Sequence, residues 1–272
     1  MVEPLDPEVV RALPADDLRA LLEARARLES PSLAARITAL LGTPIERGME
    51  LLPATWQDTI QRATRSALEQ ALEVALATLE HPTPEARLVP ATGLHRLAAG
   101  LSGAAGGAFG LAALPIELPI STVVMLRGIA DIARAQGEDL SDSQARLACL
   151  EVFALGGRGR GDDAAETGYF AVRAALGKAV SEAAAYAAGR ASAREGAPVL
   201  ARLVALIAER FGVVVGEKAA ASLVPVVGAL GGAVVNVVFI DHFTEVARGH
   251  FTVRRLERLH GPGAVRAAWA TR

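Results

Sequence analysis

The sequence has few of the residues that nucleic-acid binding requires. Aromatic side chains make up only 4% of the 272 residues, too few for platforms on which bases stack. The net charge of −2 gives no basic surface of the kind that binds phosphate backbones. We therefore predict no nucleic-acid partner.

Cysteine and lysine are also scarce. The single cysteine, Cys149, cannot form an internal disulfide, which is typical of proteins in reducing compartments. Of the 28 basic residues only Lys178 and Lys218 are lysines. The first ten residues, MVEPLDPEVV, are acidic and contain no apolar run after a basic segment, so they predict no signal peptide. These features favour a cytoplasmic protein.

Long uncharged stretches are what the sequence does have. Leu97 to Ile116 contains no charge and five glycines, and Glu117 then stands alone between Pro115 and Pro119. A second uncharged stretch, 219–240, contains GALGGA at 228–233, which nearly repeats GAAGGA at 103–108. Small residues at GxxxG spacing let helices approach closely, so we predict that two central Gly-rich apolar helices pack against each other. The pairs are Gly103 with Gly107, Gly106 with Gly110, and Gly228 with Gly232.

Amphipathic helical patterns surround these stretches. One predicted helix runs from Pro53 to about Glu80, another begins after Ser141 or Asp142, and a third spans 198–211. No alternating apolar pattern persists, so we predict an all-α fold with one multi-helix domain. We divide the chain into an N-terminal helical accessory segment, 1–49, and a main all-helical domain, 50–272.

Three blocks of the sequence resemble a known family. They are Gly103-Ala-Ala-Gly-Gly with Leu114-Pro-Ile-Glu-Leu-Pro119, then Leu150-Glu-Val-Phe-Ala-Leu-Gly156, and finally 224–236 followed by His242. In this order they are similar to the signature of the EcsC family over roughly residues 50 to 261. The resemblance implies a helical, intracellular protein that associates with the inner face of the membrane and has a membrane transporter as a partner. It assigns no catalytic residues, and we expect no cofactor.

Glu117 is the first candidate for a functional residue, and we predict that it is at least largely buried. A carboxylate in an apolar setting must be paired or neutral, so it would suit a cation, a lipid amine or a proton. Alternatively, it lies just before a helix that begins near Pro119, where free backbone N–H groups favour an anion. Arg127 is also a candidate, although ten residues of helix place it about 15 Å from Glu117. We expect Arg127 to face Asp131 instead.

Asn236 and His242 complete the candidate ligand-binding residues. Asn236 must find hydrogen-bond partners within an apolar helix, either across to a neighbouring helix or in a ligand. His242 lies three residues before Glu245, but zinc needs three or four converging ligands. His260 would be about 27 Å away along a straight helix, so we predict no metal site.

The predicted function is binding of lipid or another apolar ligand, with peripheral association with the membrane. The alternative is a hydrolase acting on a lipid-like or small apolar substrate through Glu117, Ser102 or His242. Ser102 lies in a sequence that approaches the G-x-S-x-G motif, although that motif requires a preceding strand.

The C-terminal tail suggests how the protein would contact an anionic membrane. From Arg248 onward, six arginines alternate with apolar residues that include Phe251, Leu256, Leu259 and Trp269. A basic amphipathic helix of this kind can lie in the lipid interface. The other interpretation is that the apolar face packs on the protein's own core.

Overall fold

The computed structural model describes residues 13–41, 52, 54–79, 113–157, 168–189, 193–222 and 228–271. Within these ranges the chain forms helices and no strand, which confirms the all-α prediction. The helices are α1 (Ala15–Leu28), α2 (Leu33–Leu41), α3 (Ala54–Thr78), α4 (Leu114–Ala135), α5 (Ser143–Leu155), α6 (Gly168–Ala187), α7 (Ala193–Ser222), α8 (Gly228–His260) and α9 (Pro262–Ala270).

Helix α5 lies at the centre of the bundle. Every residue from Ala145 to Ala154 is buried, and α3, α4, α6, α7 and α8 all contact this helix. Its N-terminus is capped as predicted, since the Asp142 carboxylate accepts a hydrogen bond from the backbone N–H of Gln144.

A cluster of phenylalanines fills the space between α5, α7 and α8. Phe153, Phe211 and Phe243 have ring centroids 5.0–5.4 Å apart, and Phe239 lies 5.2 Å from Phe243. The end of α5 approaches this cluster so closely that a Cβ on Gly156 would lie 2.4 Å from Phe243. Glycine is therefore required there by packing.

Helix α3 confirms the predicted long helix, with bounds within two residues of those expected. Its apolar stripe is buried, including Ile60, Leu68 and Leu72, and it packs against α4 and α7. Helix α7 extends much further than predicted, from Ala193 to Ser222, because the valine run at 213–215 continues the helix.

The start of α4 differs from the prediction. We expected the helix to begin near Pro119, but it begins at Leu114, and Pro119 lies inside it. Pro115, at the second position, has the fixed φ that suits a helix start. Pro119 has no backbone N–H, so the helix loses one backbone hydrogen bond near its start. The helix nevertheless continues through Pro119. Glu117 is consequently the fourth residue of the helix.

Helices α4 and α8 begin within the first and second uncharged stretches, respectively, and they contact each other. The Gly-rich half of the first stretch lies outside the described residues, and so does the side-chain environment of 228–232. The close packing of Gly103, Gly107 and Gly232 therefore stays a prediction.

Helix α1 packs along α8. Leu21 and Ala24 are buried there in a second apolar cluster with Val253 and Leu256. A Cβ on Gly249 would lie 2.7 Å from Leu28 Cγ and 2.9 Å from the Ala24 carbonyl oxygen. This close contact joins the N-terminal segment to the longest helix of the bundle.

The interpretation of the tail as a membrane-surface helix is wrong. Phe251, Leu256 and Trp269 are buried, whereas Leu259 is 61% exposed. These side chains pack on the protein's own core because α8 continues to His260 and α9 folds back beside it. Among the described helices, none combines the length and apolar character needed to cross a membrane.

Candidate functional site

A buried lysine joins three helices at one end of the bundle. The Nζ of Lys218, on α7, donates to Glu117 Oε1 on α4 at 2.7 Å and to Oε2 at 3.0 Å. It also donates to Asn236 Oδ1 on α8 at 2.9 Å. We refer to Glu117, Lys218 and Asn236 as the ion-pair site.

The site lies close to the ends of its helices. Glu117 is in the first turn of α4, and Lys218 is in the last turn and a half of α7. Asn236 follows soon after the start of α8. The sequence carries no charge from 219 to 240, so Lys218 is the last charge before the second uncharged stretch.

Burial and charge act on Lys218 in opposite directions. Removal from water is the larger effect and lowers the pKa of Lys218, while the Glu117 carboxylate favours the charged form and opposes this shift. The Phe239 ring also supports the ammonium, with Nζ 4.6 Å from the ring centroid. The side chains of Lys218 and Glu117 are 6% and 14% exposed. The pair therefore lies just below the surface.

Glu117 and Asn236, singled out from the sequence, are brought together by this lysine. The prediction that Glu117 is largely buried is confirmed. The prediction that backbone N–H groups satisfy it is wrong, because the helix starts three residues before Glu117, at Leu114, and Lys218 binds its carboxylate. Asn236 accepts a hydrogen bond from Lys218 on a neighbouring helix, which is one of the two kinds of partner predicted for it.

The two other predicted residues lie apart from this site. Arg127 Nη2 donates to Thr78 Oγ1 at 3.4 Å and thereby links α4 to α3. His242 Nε2 donates to the backbone carbonyl of Gly156 at 2.8 Å, and its ring meets Phe243 edge-on. Their predicted role in ligand binding stays a prediction. Within the part of the chain that the structure describes, no group of three His, Cys, Asp or Glu side chains is placed to hold a metal ion.

Lys218 was missed at the sequence level. Its rarity was visible, since it is one of only two lysines. Its role was not, because the carboxylate that it binds lies 101 residues away on another helix. Only the predicted burial of Glu117 indicated that some cation must be its partner.

Two large aliphatic side chains are exposed beside the ion-pair site. Ile116 and Ile120 are 72% and 56% exposed on either side of Glu117 along α4. Val234 of α8 is also exposed, but it lies about 200° around the helix from Asn236 and therefore faces away from the site. We refer to Ile116 and Ile120 as the aliphatic surface.

A second polar cluster lies further along α8. Arg173 of α6 bonds with both guanidinium Nη atoms to the Glu257 carboxylate of α8 at 2.9 and 3.0 Å. Arg173 also donates to the Tyr169 hydroxyl, which lies 3.0 Å from His250 Nδ1. Glu151 Oε2 of α5 is 3.9 Å from His250 Nε2. We refer to these five residues as the histidine network.

The protonation states in the histidine network follow from its surroundings. Burial, together with the charges of Arg173 and Arg254, lowers the pKa of His250 well below its usual value, so this ring is neutral. Arg173 donates to the Tyr169 oxygen, and the Tyr169 hydroxyl shares a hydrogen bond with His250 Nδ1. His250 Nε2 faces Glu151, whose pKa is raised by burial to about 7.

The buried thiol is unreactive. Burial raises the pKa of Cys149 to about 12, so the group stays protonated. Its Sγ donates to the Ala145 carbonyl within α5. Since the thiolate is the nucleophilic form, Cys149 is a structural core residue.

Comparison with known proteins gives a match to a protein family, and this match includes the ion-pair site and all of the histidine network except Glu257. Neither a curated protein nor a solved structure matches the chain. The family comparison matches residues 15–256, which extends from the first residue of α1 almost to the end of α8. This match includes Glu117, Lys218 and Asn236. The chain belongs to the EcsC protein family.

Proposed function

We propose that the protein binds lipid at a membrane surface through the aliphatic surface beside the ion-pair site. The observation that carries this proposal is the exposure of Ile116 and Ile120 next to a buried pair of opposite charges. Single exposed aliphatic residues are common in soluble proteins. Here, however, both residues lie within one helical turn of Glu117, which binds the buried ammonium.

The pattern of α4 also suits an interface between lipid and water. Ile116 and Ile120 are one turn apart, and Arg127 is seven residues beyond Ile120. At 100° per residue these three positions lie within about 40° of one face, and Arg127 is about 16 Å along the helix from Ile116. Aliphatic side chains inserted into lipid, with an arginine at the level of the headgroups, are typical of helices that lie in an interface.

This proposal replaces the tail as the lipid contact. We still propose that the protein lies at the inner face of the membrane, with an anionic membrane surface and a membrane transporter as partners. A protein held by a few aliphatic side chains would bind reversibly, because each fully buried aliphatic side chain contributes only about 1.5–3 kcal/mol.

The hydrolase alternative gains no support from a specific observation. It requires at least two of Glu117, Ser102 and His242 at one pocket. Glu117 is bonded to Lys218, and His242 is bonded to Gly156. Ser102 lies outside the described residues.

Vesicle flotation tests the proposal. The wild-type chain is mixed with vesicles of phosphatidylglycerol and phosphatidylcholine and compared with the double variant Ile116→Ser/Ile120→Ser. We expect the double variant to bind about tenfold or more weakly, because two aliphatic side chains no longer enter lipid. Leu259→Ser is the matched control, since Leu259 is equally exposed but lies near the opposite end of α8. Equal binding by the double variant and the control would contradict the proposal.

A further inference from the structure

The charges at the ion-pair site are arranged so that one partner can be exchanged. The ammonium of Lys218 has three donors, and its three acceptors are the two carboxylate oxygens of Glu117 and the amide oxygen of Asn236. Asn236 is 1% exposed, whereas the Glu117 side chain is 14% exposed. Of these two residues, Glu117 is therefore the one that borders on water.

Glu117 also lies at the edge of the buried region. It lies in the first turn of α4, and both residues before it, Pro115 and Ile116, are exposed. Rotation of its side chain toward these neighbours would bring the carboxylate into water without moving a helix. Lys218 and Asn236 would remain in place, because they come from the buried parts of α7 and α8.

A buried ammonium cannot be left without an anion. Removing one partner of a buried ion pair is strongly unfavourable, because the other charge is then uncompensated. Departure of Glu117 therefore requires that another negatively charged group take its place beside Lys218. The Asn236 amide oxygen would still accept one of the three ammonium hydrogen bonds.

The type of basic residue fits such an exchange. The chain uses arginine almost everywhere, yet this position is one of its two lysines. An arginine would fix a carboxylate through two parallel hydrogen bonds, whereas an ammonium is a compact charge with rotatable donors. An ammonium can therefore accept a carboxylate or a phosphate in the same space.

We propose that Lys218 is the anion-binding group for a lipid with one negative charge, and that Glu117 occupies the anion's place when no lipid is bound. The lipid's acidic group replaces the Glu117 carboxylate, and its acyl chain lies on Ile116 and Ile120. This inference rests on the proposed function. The acidic group is either the carboxylate of a free fatty acid or the phosphodiester of a membrane phospholipid, since both offer one charge and at least two oxygen acceptors.

Two substitutions test the exchange in opposite directions. Glu117→Gln removes the competing internal charge but keeps an oxygen acceptor for Lys218. We expect this variant to bind anionic lipid about tenfold more tightly than wild type, because hydrogen bonds to charged groups exceed neutral ones by about that factor. Lys218→Met should reduce binding of anionic vesicles to the level seen with neutral vesicles. Circular dichroism checks that both variants are folded.

Two probes distinguish the source of the anion. One is vesicles rich in phosphatidylglycerol compared with pure phosphatidylcholine, and the other is oleate below its micellar concentration. Tighter binding of Glu117→Gln to phosphatidylglycerol alone identifies a phospholipid headgroup, and tighter binding to oleate alone identifies a free fatty acid. Tighter binding to neither probe overturns the inference.

The wild-type chain provides a test that does not depend on any variant folding. Labelling with ¹³C-lysine gives only two Cε signals, from Lys218 and from Lys178, whose side chain is 82% exposed. Titration with oleate or phosphatidylglycerol should shift the Lys218 signal and leave the Lys178 signal unchanged. A Lys218 signal that stays in place at saturating lipid contradicts the exchange.

Failure of this inference is distinguishable from failure of the proposed function. If Ile116→Ser/Ile120→Ser loses vesicle binding while the Glu117 and Lys218 variants bind as wild type does, only the exchange is wrong. If the wild-type chain binds neither kind of vesicle, the proposed function fails, and the exchange fails with it.

Discussion

The two buried polar clusters differ in position and in the number of their bonds. The ion-pair site has one cation, one anion and one amide, each within about two and a half turns of an end of its helix. The histidine network lies further along α8, where Arg173 and Glu257 form two parallel hydrogen bonds and Tyr169 bonds both Arg173 and His250. Each cluster joins helices that are distant in sequence. We propose that the ion-pair site can change one partner at little structural cost, whereas the histidine network, with its larger number of bonds, cannot.

Breaking the histidine network should have the largest effect on stability. Arg173→Leu leaves Glu257, whose side chain is 12% exposed, without its cation, and it also removes the guanidinium that bonds Tyr169. We expect a loss of about 3–5 kcal/mol in the free energy of unfolding, measured by urea denaturation.

The control for Arg173 is another arginine of the same bundle. Arg202→Leu removes a surface pair between α7 and Glu182 of α6. Surface pairs contribute about 0–1 kcal/mol, so this variant should unfold almost as wild type does. Similar losses in the two variants would contradict the contrast between the clusters.

The pH dependence of the free energy of unfolding should reveal the contribution of Glu151 in the histidine network. Its pKa is about 7 in the folded chain and ordinarily 4.5, so between these values the folded chain keeps a proton that the unfolded chain loses. The free energy of unfolding therefore falls as the pH rises from about 4.5 to 7, by about 3 kcal/mol in total. Glu151→Gln mimics the protonated acid and should remove this fall, so we expect the variant to exceed wild type in stability at pH 8.

His250 provides an internal check on this experiment, because its effect has the opposite sign. Its pKa is lowered well below 6.5, so the unfolded chain takes up a proton below about pH 6.5 while the folded chain does not. Stability therefore falls as the pH drops below that value. This loss should persist in Glu151→Gln. An unchanged pH profile above pH 5 in Glu151→Gln would show that Glu151 is already ionised in the folded chain.

A double-mutant cycle at the ion-pair site should give an intermediate effect. Lys218→Met leaves Glu117 near the surface without its cation, and we expect a loss of about 2 kcal/mol. Adding Glu117→Met removes the unpaired charge, so the double variant should recover most of this loss. Thermal or urea unfolding of the three variants measures the coupling. Additive losses would show that the two side chains do not act as a pair.

The smallest effect is expected at the other lysine. Lys178→Met removes an exposed ammonium 3.8 Å from Glu182 within α6, and such i, i+4 pairs contribute only about 0.3–0.5 kcal/mol. A larger change in the free energy of unfolding would mean that loss of any lysine, rather than burial, explains the result at Lys218.

Much of the architecture could be predicted from local patterns. The apolar stripe of α3 and the Asp142 cap of α5 depend on residues a few positions apart. Pro119 misled the prediction because two prolines in the same short segment each suit a helix start, and the earlier one, Pro115, occupies the first turn. The tail was open to two interpretations because an amphipathic helix shows an apolar face but not what covers it.

The candidate site could be predicted only in part. Glu117 and Asn236 stood out because polar groups in apolar sequence need partners. Their common partner, Lys218, could not be predicted, because the pairing joins α4 to α7 and depends on how the whole bundle assembles. His250 and Tyr169 gave no signal, because their contact also forms between distant helices.

The length of α8 restricts how the molecule can move. One continuous helix carries Asn236 near one end of the bundle and His250 fourteen residues, or about 21 Å, further along. A rigid rotation of α8 that withdrew Asn236 from Lys218 would therefore turn His250 through the same angle and break its bond to Tyr169. Rotation of the Glu117 side chain requires no such movement of α8, and it is the response to a bound anion that we propose.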